Sequence, residues 1–188
     1  MELTISETVS SIKPRLCLNM IVKNESHIIE NTLDKLLKKI PFDYWAISDT
    51  GSTDNTKEII SKFFTARNIP GELFDDKWAD FGHNRTIALE HAYGKSDYIL
   101  VFDADDEICG NFILPELVKD SYSLQFGDAN GTSYTRPQIV TNDKKWKYIG
   151  VLHELIECCE HADGTVVIRG DYYTISGRTS DRNRDENK

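Results

Sequence analysis

The sequence predicts an α/β domain: a mostly parallel sheet flanked by helices, with a smaller antiparallel extension. Three observations predict it. Apolar periodicity switches repeatedly between short continuous runs and helical spacing along the first part of the chain. The continuous runs end in polar residues, Asn24-Glu25, Asp49 and Asp103 among them. Past Thr132 the runs are instead separated by Asn142-Asp143 and Asp163-Gly164 turns. Alternating strands and helices favour parallel neighbours with helices on both faces, whereas strands joined by such turns favour antiparallel pairing.

Taken in order, Leu16 to Val22 is a continuous apolar run, suited to a strand buried on both faces. Ile29, Leu33, Leu36, Leu37 and Ile40 then fall on one helical face, and Pro41 closes that helix. Tyr44 to Ser48 reads as the second strand and leads into Asp49-Thr50-Gly51-Ser52-Thr53-Asp54. Ser52 or Thr53 is placed to cap the next helix, which carries Ile59, Ile60, Phe63 and Phe64. Pro70-Gly71 is a turn before a short third strand, Glu72 to Phe74. A third helix, roughly Gly82 to Tyr93, carries Ile87, Ala88, His91 and Ala92 on one face. Tyr98 to Phe102 is the clearest strand and runs straight into Asp103-Ala104-Asp105-Asp106-Glu107. Leu114 to Leu124 is expected as one helix. Thr132 to Val140, Lys145 to Ile149 and Thr165 to Ile168 are expected as strands. Residues 1–14 read as an extension, 15–175 as one domain, and 176–188 as a mobile polar tail or the cut edge of a longer chain.

Composition narrows the function classes. A formal net charge of −9 opposes a polyanionic partner, so no nucleic acid is expected. No apolar run approaches the ~20 residues that span a bilayer. The first residues lack the basic flank and apolar stretch of a signal peptide. Cys17, Cys109, Cys158 and Cys159 form no CxxC pair, which fits reduced, packed thiols and a cytoplasmic location.

Asp103, Asp105, Asp106 and Glu107 place four carboxylates within five residues, directly after a buried strand. Alternation along an extended chain aims Asp103 and Asp105 the same way. Like charges held close raise each other's pKa unless a cation or donors compensate. A hard divalent ion such as Mn2+ or Mg2+ does so, and it also bridges carboxylate to phosphate oxygens. The bland alternative is a solvated acidic turn. Asp49, at a strand end before a glycine turn, is placed to accept from a nucleobase N–H or a ribose hydroxyl.

The runs Asn19 to Glu25, Ile47 to Thr56 and Phe102 to Asp106 together resemble glycosyltransferase family 2, with the GT-A fold. Trp78 to Arg85 and Gly150-Val151-Leu152-His153-Glu154 resemble a bacterial-type branch of that family. The resemblance implies an inverting transfer of a sugar from a nucleotide-diphosphate sugar, often a UDP-sugar, to a hydroxyl acceptor of unknown identity. It implies a nucleotide-binding half at about 15–110 and an acceptor half at about 111–175. By the family pattern Glu25 and Asp49 line the nucleoside pocket, with Asn84, Arg85 and Asp103 also facing the nucleotide. Asp105 would ligate Mn2+ or Mg2+.

Glu154 is the candidate base, since an inverting transfer needs a group to take the acceptor proton. His153 is a candidate metal ligand or acceptor contact. Tyr173 to Gly177 has no His where the family often places a further ligand, and Arg178 and Arg182 could close over a diphosphate instead. Two rival enzymes share parts of the pattern. A haloacid-dehalogenase-type phosphatase would use Asp103 as nucleophile, but its motif follows the first strand. A nucleotidyltransferase would show a Gly-rich loop where Val22-Lys23-Asn24-Glu25 stands. An inactive nucleotide-sugar-binding module is the non-enzymatic reading.

Overall fold

The first apolar run folds as β1 (Leu16–Val22), and its alternation decides where two cores lie. Leu16, Leu18, Met20 and Val22 point into the larger core, while Cys17 joins the smaller one on the opposite face. The computed structural model describes residues 13–127, 133–150 and 154–177. The larger core is covered by α1 (Ile29–Lys39) and α2 (Thr56–Arg67), the smaller by α3 (Phe81–Ala92). Among the described residues no helix is long and apolar enough to cross a membrane.

The remaining strands are β2 (Tyr44–Asp49), β3 (Gly71–Asp75), β4 (Tyr98–Val101), β5 (Asp106–Gly110), β6 (Ser121–Gly127), β7 (Ser133–Thr141), β8 (Trp146–Ile149), β9 (Leu155–Cys158), β10 (Thr165–Val167) and β11 (Tyr172–Ser176). Nine of the strands form one sheet in the order β3-β2-β1-β4-β7-β6-β11-β5, with β10 beside β6; β8 and β9 make a separate antiparallel pair. From β3 to β4 all neighbours are parallel. The expected mixed architecture is therefore present, a mostly parallel sheet with an antiparallel extension.

Register levels the strand ends. Val22 stands opposite Asp49, and Asp49 opposite Asp75. Phe102 donates its N–H to the carbonyl of Asn19 at 3.0 Å, so the chain after β4 leaves the sheet at the same edge. Parallel sheets bind ligands outside this carboxyl edge. Asn19 fixes the sheet to α3: its buried Nδ2 donates to the Ala46 carbonyl at 3.0 Å and the Ala88 carbonyl at 2.7 Å.

Several expectations are corrected. Leu114 to Leu124 is not a helix; its last four residues open strand β6, and the segment before them is irregular. Pro115 lacks an N–H and drives Leu114 toward extended backbone. Tyr122, Leu124 and Phe126 alternate into the core, a period of two that outweighs the helical reading. Strands β5, β9 and β11 were not anticipated. Ser176, assigned to the polar tail, ends β11 opposite Asp106, and Gly177 donates its N–H to the Asp105 carbonyl at 2.6 Å. Residues 178–188, with Arg178 and Arg182, lie outside the described residues. On α3 the buried residues are Gly82, Asn84, Ala88, Leu89 and Ala92, while Ile87 is only half-buried. The thiols are unpaired, but only Cys17 is buried; Cys159 is exposed. Burial pushes the Cys17 thiol up to about 12, so it stays protonated and inert.

Neither Ser52 nor Thr53 caps α2. The N-cap position is Asn55, without a side-chain cap bond; Asp54, just before it, satisfies the first helical residue instead, its Oδ1 accepting from the Thr56 N–H at 3.0 Å and the Thr56 hydroxyl at 2.6 Å. Its Oδ2 accepts from the Ser26 N–H at 3.1 Å, joining the start of α1 to that of α2. Burial alone would raise this carboxyl, but the hydrogen bonds from Ser26 and Thr56 hold it well below the usual carboxylate range. Stability from a depressed carboxylate is complete above its unfolded pKa and is lost as pH falls through the folded one. Asp54→Ala is therefore expected to cost about 1 kcal/mol at pH 7. The deficit should shrink once pH falls below about 4. Urea unfolding of both proteins at the two pH values checks this; a deficit independent of pH would remove charge from the explanation.

Candidate active site

Asp49 closes β2, and the chain turns at once through Gly51 with φ of 105°, a left-handed value that suits glycine. The Asp49 Oδ1 accepts from the N–H groups of Gly51 at 3.0 Å and Ser52 at 2.8 Å. Its Oδ2 is buried with no hydrogen-bond partner among the described residues. A buried acceptor left unmatched costs about 1–3 kcal/mol. That oxygen is suited to an incoming N–H or hydroxyl.

The loop after β1 is tied to the same turn. Asn24, in the left-handed region at φ 57°, accepts from the Thr53 N–H at 2.8 Å and donates its own N–H to Ser52 Oγ at 2.9 Å. Glu25 is buried beside it, its N–H donating to Thr56 Oγ1 at 2.8 Å. The loop that carries Glu25 and the turn after Asp49 are thus held together beyond the ends of the first two strands.

Past β4 the acidic run divides. Glu107 turns to α1 and pairs with Lys35 at 2.9 Å. Thr32 of α1 donates its hydroxyl to the Ala104 carbonyl at 2.7 Å and pins the loop from below. Asp103, Asp105 and Asp106 are left together, with carboxylate oxygens within 4.8 Å of one another. Three converging hard oxygen donors fit a divalent cation of the Mn2+ or Mg2+ kind. Asp105 has no side-chain ion pair among the described residues, so its oxygens are available to such an ion.

Two guanidiniums answer the other two carboxylates. Arg85 of α3 holds Asp103 Oδ1 at 2.7 Å and lies 3.8 Å from Glu154. Burial alone would lower the Arg85 pKa, but the Asp103 charge beside it more than reverses this and keeps it a fixed cation. Arg136 of β7 holds Asp106 Oδ2 at 2.7 Å and lies 3.4 Å from Asp103 Oδ2. Burial, and next the neighbouring Asp103 charge, push the Asp106 carboxyl up to about 7 against the pull of Arg136. Tyr148 packs near Arg85, its phenol raised to about 12 chiefly by loss of water. Among the described residues, Arg85 and Arg136 are the cations paired with Asp103, Asp106 and Glu154.

The structure therefore gathers Asp103, Asp105, Arg85 and Glu154 at one place, with Asp49 and Glu25 at the adjoining strand ends. Asn84 is elsewhere engaged: its buried amide accepts from the Ala79 N–H at 2.9 Å and donates to the Lys77 carbonyl at 3.1 Å, shaping the loop before α3. His153 lies outside the described residues. Arg136 and Asp106 were missed as site residues. Asp106 could have been found by its place in the acidic run. Arg136 carries no motif, and only the β6–β7 pairing reveals where it goes.

The family model for glycosyl transferase family 2 matches residues 17–150. Among solved structures, S. aureus TarS 1-349 in complex with UDP-GlcNAc is 16% identical, with a TM-score of 0.57 over 88% of this chain and 60% of that one. The mannosyltransferase PcManGT from Pyrobaculum calidifontis, in complex with GDP-Man and Mn2+, is 22% identical with a TM-score of 0.44, covering 52% of this chain and 29% of that one. Glucosyl-3-phosphoglycerate synthase from Mycobacterium tuberculosis, in complex with Mn2+ and UDP, is 17% identical with a TM-score of 0.39, covering 50% and 34%. The TarS likeness is one of fold, and this chain spans less than two thirds of the length of each of these proteins. No curated protein sequence matches it.

Proposed function

Because this chain belongs to glycosyl transferase family 2, we propose that it transfers a sugar from a nucleotide-diphosphate sugar, a UDP-sugar in the first instance, to a hydroxyl acceptor with inversion at the anomeric carbon. The observation that carries this reading is the convergence of Asp103, Asp105 and Asp106 within 4.8 Å beside two arginines. Asp105, with its two neighbours, would hold Mn2+ or Mg2+, which supplies Lewis-acid neutralisation of the leaving diphosphate.

The other roles fall to this chain's own groups. Asp49 Oδ2 accepts from the nucleobase or ribose, with Glu25 beside it. Arg85 fixes Asp103 and offers charge toward the phosphates. Glu154 takes the acceptor hydroxyl proton as that oxygen bonds to the anomeric carbon, and the bond to the diphosphate breaks with its electron pair leaving on phosphate oxygen. Residues 15–175 form the transferase domain in this reading. The phosphatase alternative fares worse, since its nucleophile, Asp103, has an oxygen engaged by each arginine.

A thermal-shift panel of UDP- and GDP-sugars, with and without Mn2+, tests the assignment. The largest stabilisation is expected with a UDP-sugar plus Mn2+. Stabilisation by phosphate mimics alone would favour the phosphatase instead.

A further inference from the structure

Arg136 sits where a cation is wanted, yet it sits there badly. A guanidinium matched to a carboxylate makes two parallel hydrogen bonds through its fork. Here one nitrogen, Nη2, serves both Asp106 Oδ2 at 2.7 Å and Asp103 Oδ2 at 3.4 Å. The same nitrogen is 2.9 Å from Gln138 once that amide is oriented so that both its ends find partners. Arg136 Nε is buried without a hydrogen-bond partner among the described residues. The group therefore acts in this site as a charge rather than as a fork. Its plane rests on Phe126, 4.3 Å from the ring centre, a sliding contact that does not fix a hydrogen-bond direction. Arg85 differs: its side chain is 14% exposed against 33% for Arg136, so among the described residues Arg136 is the less enclosed of the two.

We propose that Arg136 is a resident counter-cation that competes with the divalent ion for the Asp103–Asp106 pair and couples ion binding to the donor diphosphate. The inference rests on the glycosyltransferase reading of this site and adds a residue that sets its cation affinity. The oxygens Arg136 holds lie in the same carboxylate cluster as Asp105, and two cations cannot share them without repulsion. An ion that enters alone must push the guanidinium away from two carboxylates. An ion that enters with a diphosphate gives the guanidinium new anionic oxygens to hold. Ion and nucleotide then strengthen each other, and linkage requires the two enhancements to be equal.

Calorimetry with Mn2+ alone, UDP alone and both together, on the native protein and on Arg136→Met, separates this role from a structural one. The substitution is expected to tighten Mn2+ binding in the absence of nucleotide by roughly tenfold, and to shrink the mutual enhancement between Mn2+ and UDP by a similar factor. A merely structural arginine would do the reverse, since its loss would loosen the carboxylates. Unchanged or weaker binding of Mn2+ alone overturns the proposal. If Arg136→Met fails to fold even with Mn2+ present, Arg136→Gln serves with the same readout, because it removes the competing charge while leaving a hydrogen-bond donor for Asp106. Absence of any Mn2+-dependent UDP binding in the native protein would instead sink the functional reading, a result distinct from an unaltered Mn2+ affinity in the variant.

Discussion

Asp105→Ala is expected to abolish metal-assisted nucleotide binding while leaving the fold intact. The three clustered carboxylates are not equivalent. Asp103 and Asp106 are each held by a guanidinium, and Asp106 is buried, so removing either would strand an arginine and disturb the end of β4. Breaking such a buried pair costs about 3–5 kcal/mol, which would confuse loss of binding with loss of structure. Asp105 contributes no ion pair among the described residues, and its tie to the chain runs through its backbone carbonyl to the Gly177 N–H. Alanine keeps that tie. Stability should change by no more than about 0.5 kcal/mol, the range of surface substitutions. Affinity should not be spared. Groups that merely orient metal ligands are worth about 10–100-fold, and a direct ligand is worth at least as much. Calorimetry of UDP with Mn2+ should thus show affinity at least about 100-fold weaker, while UDP without metal binds as it does to the native protein. Unchanged Mn2+-dependent affinity in a folded variant would remove the cation from this site.

How much of this was legible beforehand depends on whether the information was local. The order of elements through β4 could be read because each strand and helix writes its own period. The alternation of Leu16, Leu18, Met20 and Val22 into one core is what the sequence pattern implies, and Asp49 and Asp103 fall at strand ends as a consequence. The stretch around Leu117 could not be read in this way. Apolar residues there fit either period over a short window, and β6 is settled only by its partners β7, β10 and β11. The same cause hid Arg136. Its place opposite Leu124 is fixed by a pairing register that shifts at Tyr122/Ser123, and one residue of slip would turn its side chain to the other face. Asn84 carries a second task that the sequence does not announce. Its buried amide accepts from the Ala79 N–H and donates to the Lys77 carbonyl, a task set by the loop before α3 and not by any local pattern.

Glu154→Gln isolates the proton-transfer step from everything else in the site. Glutamine preserves the volume beside Gly82, where the Glu154 Cγ lies 4.0 Å from the position of an added β-carbon, so packing against α3 is kept. It loses the charge facing Arg85, but that contact is long at 3.8 Å, and Arg85 keeps its shorter bond to Asp103. Affinity for UDP with Mn2+ should therefore be retained. An amide oxygen cannot take the acceptor proton, and removal of a general base lowers turnover by about 10²–10⁴-fold. Release of UDP from a UDP-sugar, with water standing in for the acceptor, measures this before any acceptor is identified. Retained affinity with lost turnover assigns the base. Normal turnover takes Glu154 out of the mechanism. A fall in affinity as large as the fall in turnover would mean that Glu154 acts through Arg85, positioning the guanidinium rather than moving a proton, and the base would then have to come from another carboxylate at this edge of the sheet.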